Sequence, residues 1–127
     1  MLARMIDIVF CLKRRPQLSA DEFRRYWLEQ HAPLVESYAE TLGILRYSQH
    51  HTVDTPLTEV LRAGRGCAPE HFDGMALISF DSLDALQAAA ATPEGVAAGI
   101  ELLEDERRFI DLEQSVIWFT GHELVHG

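Results

Sequence analysis

The residues best suited to chemistry cluster in Tyr26-Trp27-Leu28-Glu29-Gln30-His31-Ala32-Pro33-Leu34, inside a stretch with helical periodicity. His31 falls on the apolar stripe Phe23, Trp27, Leu34, Val35, Tyr38, Leu42 and should therefore point inward. An imidazole titrates near neutral pH, so an inward histidine beside open space could serve as general acid or base. The competing reading is a core histidine satisfied by a backbone carbonyl. Pro33 lacks an amide donor and crowds the carbonyl of Glu29, so the helix should kink or restart there and free a carbonyl.

Two further groups could join His31. Tyr47 and His51 share one face of a predicted strand, and if that face looks at the first helix both approach the imidazole. Read alone, they are ordinary strand polarity. His50 and His51 are adjacent and face opposite ways, so they cannot chelate together. Asp7, in the middle of an apolar strand, needs a partner or a raised pKa if buried, which makes it a secondary candidate. Cys67 with His71 could pair a nucleophile with a base, although nothing nearby activates the thiol. His122-Glu123-Leu124-Val125-His126 matches the zinc-protease pattern HExxH. That chemistry needs a helix, and in the extended backbone expected here the two histidines stand about 13 Å apart, too far for one zinc. Walker, dinucleotide-binding and CxxC motifs are absent from the sequence.

The elements that must carry these groups follow in order. Residues 4–13 read as a strand with two mostly apolar faces, Ile6, Ile8, Phe10 and Leu12 against Met5, Asp7, Val9 and Cys11. Ser19 and Glu22 form a capping box opening a helix over about 20–41, with Gly43 as its C-cap. A second strand spans about 44–54. Residues 56–74, with several glycines and prolines, read as a long loop holding a short helix at 57–63; such loops often cover a binding site. A third strand follows at 75–80. Ser82 then caps a helix at 83–91, and Thr92-Pro93 starts another carrying Val96, Ile100 and Leu103. Residues 115–119 form a last, continuously apolar strand.

The 127 residues, 47% of them hydrophobic, make one domain with a single core. A net charge of −9 argues against nucleic acid and anionic membranes. Lys13-Arg14-Arg15 reads as a solvated strand end. The apolar run from Met5 to Leu12 is too short to span a bilayer, and its charges follow it, unlike a signal peptide. Two cysteines make no disulfide framework and suit a reducing cytoplasm.

Strand, helix, strand, strand, helix, strand is the split βαβ order of a ferredoxin-like α+β protomer with a four-stranded antiparallel sheet. Its helices can cover only one sheet face, yet the first and last strands are apolar on both. The second face should meet a partner, most simply a second copy in a two-fold dimer.

Leu12-Lys13-Arg14-Arg15-Pro16, Ser19 to Phe23, the Trp27-x-x-x-His31-x-Pro33-Leu34 segment, Arg46-Tyr47, Phe72-Asp73-Gly74 and Phe80-Asp81-Ser82 together resemble the EthD family, over nearly the whole chain. The resemblance implies one EthD-like domain over residues 1–127, a dimeric α/β barrel, and a pocket between helices and sheet. Relatives include lactone isomerases, polyketide cyclases and dehydratases, cofactor-free monooxygenases, and accessory proteins of degradation operons. The family's motif histidine and Arg-Tyr tyrosine correspond to His31 and Tyr47, whereas Leu77 and Ser79 stand where the family often has Glu and Trp. The expectation is a cytoplasmic enzyme of isomerase or lyase type, without cofactor or obligatory metal, acting on a lactone, aromatic or polyketide-like carbonyl compound. His31 and Tyr47 would be catalytic with His51 as helper, while Tyr26, Trp27, Tyr38 and Asp7 would line or support the substrate site. The rival readings are a non-catalytic metabolite-binding or accessory protein and a cofactor-free monooxygenase. Relatives of this fold also bind haem, for which His31 would be the axial ligand.

Overall fold

Ile6–Leu12 (β1) is one of the two inner strands of the sheet. It pairs antiparallel with Gly74–Phe80 (β3) on one side and Val116–Gly121 (β4) on the other, while Arg46–His51 (β2) adds to β3. The order is therefore β2-β3-β1-β4, the ferredoxin-like α+β arrangement. The computed structural model describes residues 5–127; the expected start of the first strand at residue 4 lies outside them. Alternation divides β1 cleanly. Ile8, Phe10 and Leu12 face the helices, opposite Ile78, Ala76 and Gly74 of β3.

The first helix opens as its capping box requires: Ser19 Oγ accepts from the Glu22 amide at 3.1 Å, and Glu22 Oε1 accepts from the Ser19 amide at 2.9 Å. It does not run unbroken to residue 41. Ala20–Tyr26 (α1) passes into a π-turn over Trp27–His31, then Ala32–Ser37 (α2) and Ala39–Leu42 (α3). Pro33 occupies the first turn of α2, where its missing N–H is least costly, and the hydrogen-bond ladder slips so that the Ala32 amide donates to the carbonyl of Trp27. Gly43 ends α3 in the left-handed conformation, φ 73°, as a C-cap glycine should.

Leu57–Arg65 (α4) lies in the long loop with no buried residue, two residues longer than anticipated. Leu83–Ala91 (α5) matches its expected bounds. Pro93–Phe109 (α6) extends well past Leu103, because its inward face continues through Asp105 to Phe109. Leu12, Phe23, Trp27, Ala76, Phe109 and Ile110 form the core under the helices. Gly74 is the point of closest approach: a Cβ there would stand 2.4 Å from Trp27 Cζ3, so only glycine lets the indole lie on the sheet.

The basic run is not a solvated strand end. Arg14 clamps the buried Asp73 through its backbone amide at 2.8 Å and Nη1 at 2.6 Å, Lys13 Nζ meets Glu70 at 3.1 Å, and Arg15 Nη1 donates to the Arg107 carbonyl. These bonds tie the end of β1 to the loop before β3 and to the end of α6. Among the described residues, no helix is long and apolar enough to cross a membrane.

Candidate active site

The π-turn adds one residue to the ladder and turns His31 into the protein, where it is 5% exposed. Its Nδ1 donates to Asp105 Oδ2 at 2.7 Å, and its ring packs 5.0 Å from Phe109. Asp105, itself buried, receives two more donors on its other oxygen: Tyr26 OH at 2.5 Å and Arg108 Nη1 at 3.0 Å. Burial pushes the Asp105 carboxyl up, but the hydrogen bonds from Tyr26, His31 and Arg108 outweigh it and hold the pKa below the ordinary aspartate value. Burial has the opposite sign for His31 and lowers its pKa, against the pull of Asp105. The pair at neutral pH is thus a neutral imidazole donating to a carboxylate, not an ion pair. Asp105 fixes the tautomer with the proton on Nδ1, leaving the Nε2 lone pair unengaged among the described residues.

His31 lines a cavity of about 250 Å³ between helices and sheet. Trp27, His31, Tyr47 and Glu106 line it, and the rest of the wall is apolar. Leu103 and Ile117 also line it while being 39% and 58% exposed, which puts its mouth between α6 and β4. Tyr47 OH accepts from Gln49 Nε2 at 2.8 Å, so its own proton remains available to a ligand. The same Gln49 amide donates to the Trp27 carbonyl at 2.9 Å, tying β2 to the π-turn. Burial raises the Tyr47 pKa, so the phenol is neutral at pH 7.

The structure brings together three of the expected site residues, His31, Tyr47 and Trp27, on one cavity. The others lie elsewhere. His51 is not on the cavity wall: its ring stacks on Trp27 at 4.5 Å, and Nε2 donates to Gln49 Oε1 at 2.9 Å, reaching Tyr47 only through that amide. Tyr26 packs on Phe109 and holds Asp105 from behind, away from any ligand in the cavity. Tyr38 follows the break at Ser37, which turns it outward to bond Glu101 at the surface. Asp7 sits on the opposite sheet face, because odd positions of β1 point away from the helices. There Ser79 Oγ donates to it at 2.5 Å and His122 Nδ1 lies 3.6 Å off. The His122–His126 segment follows β4 without forming the helix its motif needs, and Cys67 is exposed in the loop.

Asp105 and Glu106 escaped the sequence reading, hidden in the charged run Glu104-Asp105-Glu106-Arg107-Arg108. A signal was present: Ala98, Leu102, Asp105 and Phe109 follow helical spacing, so Asp105 lies on the apolar stripe of α6 just as His31 lies on its own. Haem does not fit this site. A cavity of about 250 Å³ is smaller than the roughly 300–1,000 Å³ typical of drug-sized ligands, and a porphyrin needs still more.

Comparison with known proteins agrees with this architecture. The EthD domain profile matches residues 15–113. The fold is similar to that of an ethyl tert-butyl ether D family protein from Bacillus halodurans, at 21% identity and TM-score 0.61 over 94% of this chain and 99% of that one. It is also similar to hydroxynitrile lyase from Passiflora edulis, at 10% identity and TM-score 0.62 over 98% of each chain. A third similar structure is SnoaB, a cofactor-independent oxygenase from Streptomyces nogalater, at 15% identity and TM-score 0.57 over 97% and 98%. No curated protein matches the chain significantly. With the profile spanning most of the sequence, the protein belongs to the EthD family.

Proposed function

We propose that the protein, as one EthD-like unit, is a cytoplasmic small-molecule enzyme of isomerase or lyase type. It moves a proton on a carbonyl-bearing lactone, aromatic or polyketide-like metabolite and leads it to isomerisation, cyclisation or dehydration. One observation carries this reading: His31 lines a largely apolar cavity while its Nδ1 is locked by a buried carboxylate. His31 takes the proton from carbon next to the carbonyl, and Tyr47 donates to the oxygen where negative charge develops. Asp105 stabilises the imidazolium that forms, and Tyr26 and Arg108 hold Asp105 in place. His51 positions Tyr47 through Gln49, and Trp27 forms the wall. A hydroxynitrile lyase and a cofactor-independent oxygenase on the same fold are in keeping with small-molecule chemistry here, though one fold hosts many reactions.

The test is exchange of a probe's C–H for solvent deuterium, followed by proton NMR with a β,γ-unsaturated five-membered lactone. Wild type should exchange it, and His31→Ala should be slower by about 10²–10⁴ with an unchanged melting temperature. Exchange at the buffer rate in wild type, or equally fast exchange in His31→Ala, refutes the assignment. Binding without exchange supports the rival reading as a carrier, which the mostly apolar wall would equally suit.

The working form is proposed to be a homodimer with sheets packed face to face. β4 leaves Trp118 of the outer face 48% exposed and Phe119 of the inner face 51% exposed, a poor end state for an edge strand. Sedimentation at micromolar concentration should give about twice the mass of one chain; a monomer there contradicts the pairing.

A further inference from the structure

Beyond His31 and Tyr47, one more polar group reaches the cavity. Glu106 extends from α6, and among the described residues no hydrogen bond reaches its carboxyl. An isolated carboxylate in an apolar wall is costly, whereas the protonated acid is a hydrogen-bond donor seeking an acceptor. Resting on the proton-transfer reading of the site, we propose that Glu106 binds as a neutral carboxylic acid, donating to the carbonyl oxygen of the ligand. The site then takes small uncharged cyclic ketones and lactones and refuses the corresponding carboxylates.

The surroundings of Glu106 support this from every side. The π-turn presents His31, neutral and lacking any positive charge to pair with a carboxylate. β2 presents the Tyr47 phenol, also neutral. On α6 itself, Asp105 precedes Glu106 and adds a like charge. The linings from β1, β3, β4 and α5 are carbon side chains. Burial first, and the Asp105 charge second, push the Glu106 pKa up to about 7. A ligand carboxylate would meet this same apolar wall and the same Asp105 charge. The cavity volume of about 250 Å³ suits a single ring better than a fused polycycle.

Protonation then gates affinity. With a pKa of about 7, Glu106 is mostly protonated at pH about 6 and only a few per cent protonated at pH about 8.5, so affinity should fall about 30-fold across that range. Calorimetric titration with cyclohex-2-enone, which has no charge to titrate, should show that loss in wild type. Glu106→Gln keeps a donor that does not titrate, and should bind with nearly constant affinity. Cyclohexene-1-carboxylate should bind at least tenfold more weakly than the ketone at either pH. Melting temperatures of both proteins at each pH separate binding from unfolding. Equal wild-type affinity at the two pH values, a pH loss retained in Glu106→Gln, or carboxylate binding as tight as the ketone overturns the proposal. So does the absence of ketone binding at pH about 6. Failure of the proton-transfer reading shows separately, as missing deuterium exchange in the lactone.

Discussion

Asp105→Asn is expected to remove most of the proton-transfer activity while leaving the fold in place. The two carboxylate oxygens face different numbers of donors. Asp105 Oδ1 receives two donors, Tyr26 OH and Arg108 Nη1, whereas Oδ2 receives one, His31 Nδ1. An asparagine keeps its single oxygen where two donors converge and turns its NH₂ group toward His31. The imidazole must then accept at Nδ1 and carry its proton on Nε2, the nitrogen that should be the base. A histidine in the wrong tautomer is nearly as inactive as none, so the deuterium exchange of the lactone should fall by about 10²–10⁴. Nitrogen-15 shifts of the His31 ring would show the tautomer directly, with the protonated nitrogen changing from Nδ1 in wild type to Nε2 in the variant. Full activity in a folded Asp105→Asn protein, or an unchanged tautomer, would mean that Asp105 does not set the state of the base.

Trp27→Ala should produce the largest loss of stability from a single side chain. The indole is 1% exposed, lies 5.6 Å from the Phe23 ring and 4.5 Å from the His51 ring, and rests on the gap left by Gly74. Truncation removes these contacts and merges the void with the cavity beside it. Replacements of this kind cost about 3–5 kcal/mol, a large part of the roughly 5–15 kcal/mol that holds a domain folded. Urea unfolding followed by circular dichroism should show a lower midpoint with little change in slope. Trp27→Phe keeps a ring over Gly74 and should recover much of the loss. A cost below about 1 kcal/mol for Trp27→Ala would show that the indole contributes little to the core.

Features with a local physical cause were legible in the sequence. The Ser19–Glu22 box, the Gly43 cap and the alternation of β1 each depend on residues within a turn or two of one another. Periodicity alone turned His31 inward, and Pro33 marked the place where the ladder slips. The same rules overextended the first helix and both outer bounds of β2, because the cost of a break at Ser37 or a strand end at His51 is set by neighbours. They also assigned Lys13-Arg14-Arg15 to solvent, although Asp73, 59 residues from Arg14, draws that arginine into a clamp.

The candidate site divides along the same line. His31 and Tyr47 were visible, since each stands out from its own element by residue type and face. Asp105 stands 74 residues from His31 within a run of charges, and its proximity exists only once α6 crosses the sheet beside the π-turn. That packing also separates two neighbouring carboxyl groups, turning Asp105 onto the imidazole and Glu106 into the cavity, where burial and a like charge keep it protonated up to about pH 7. The sequence by itself determined which elements form and which of their faces are apolar, because helix and strand periods are local. Only the tertiary structure decided which carboxylate orients the histidine and which one faces the ligand, because both depend on how α6 packs against the π-turn.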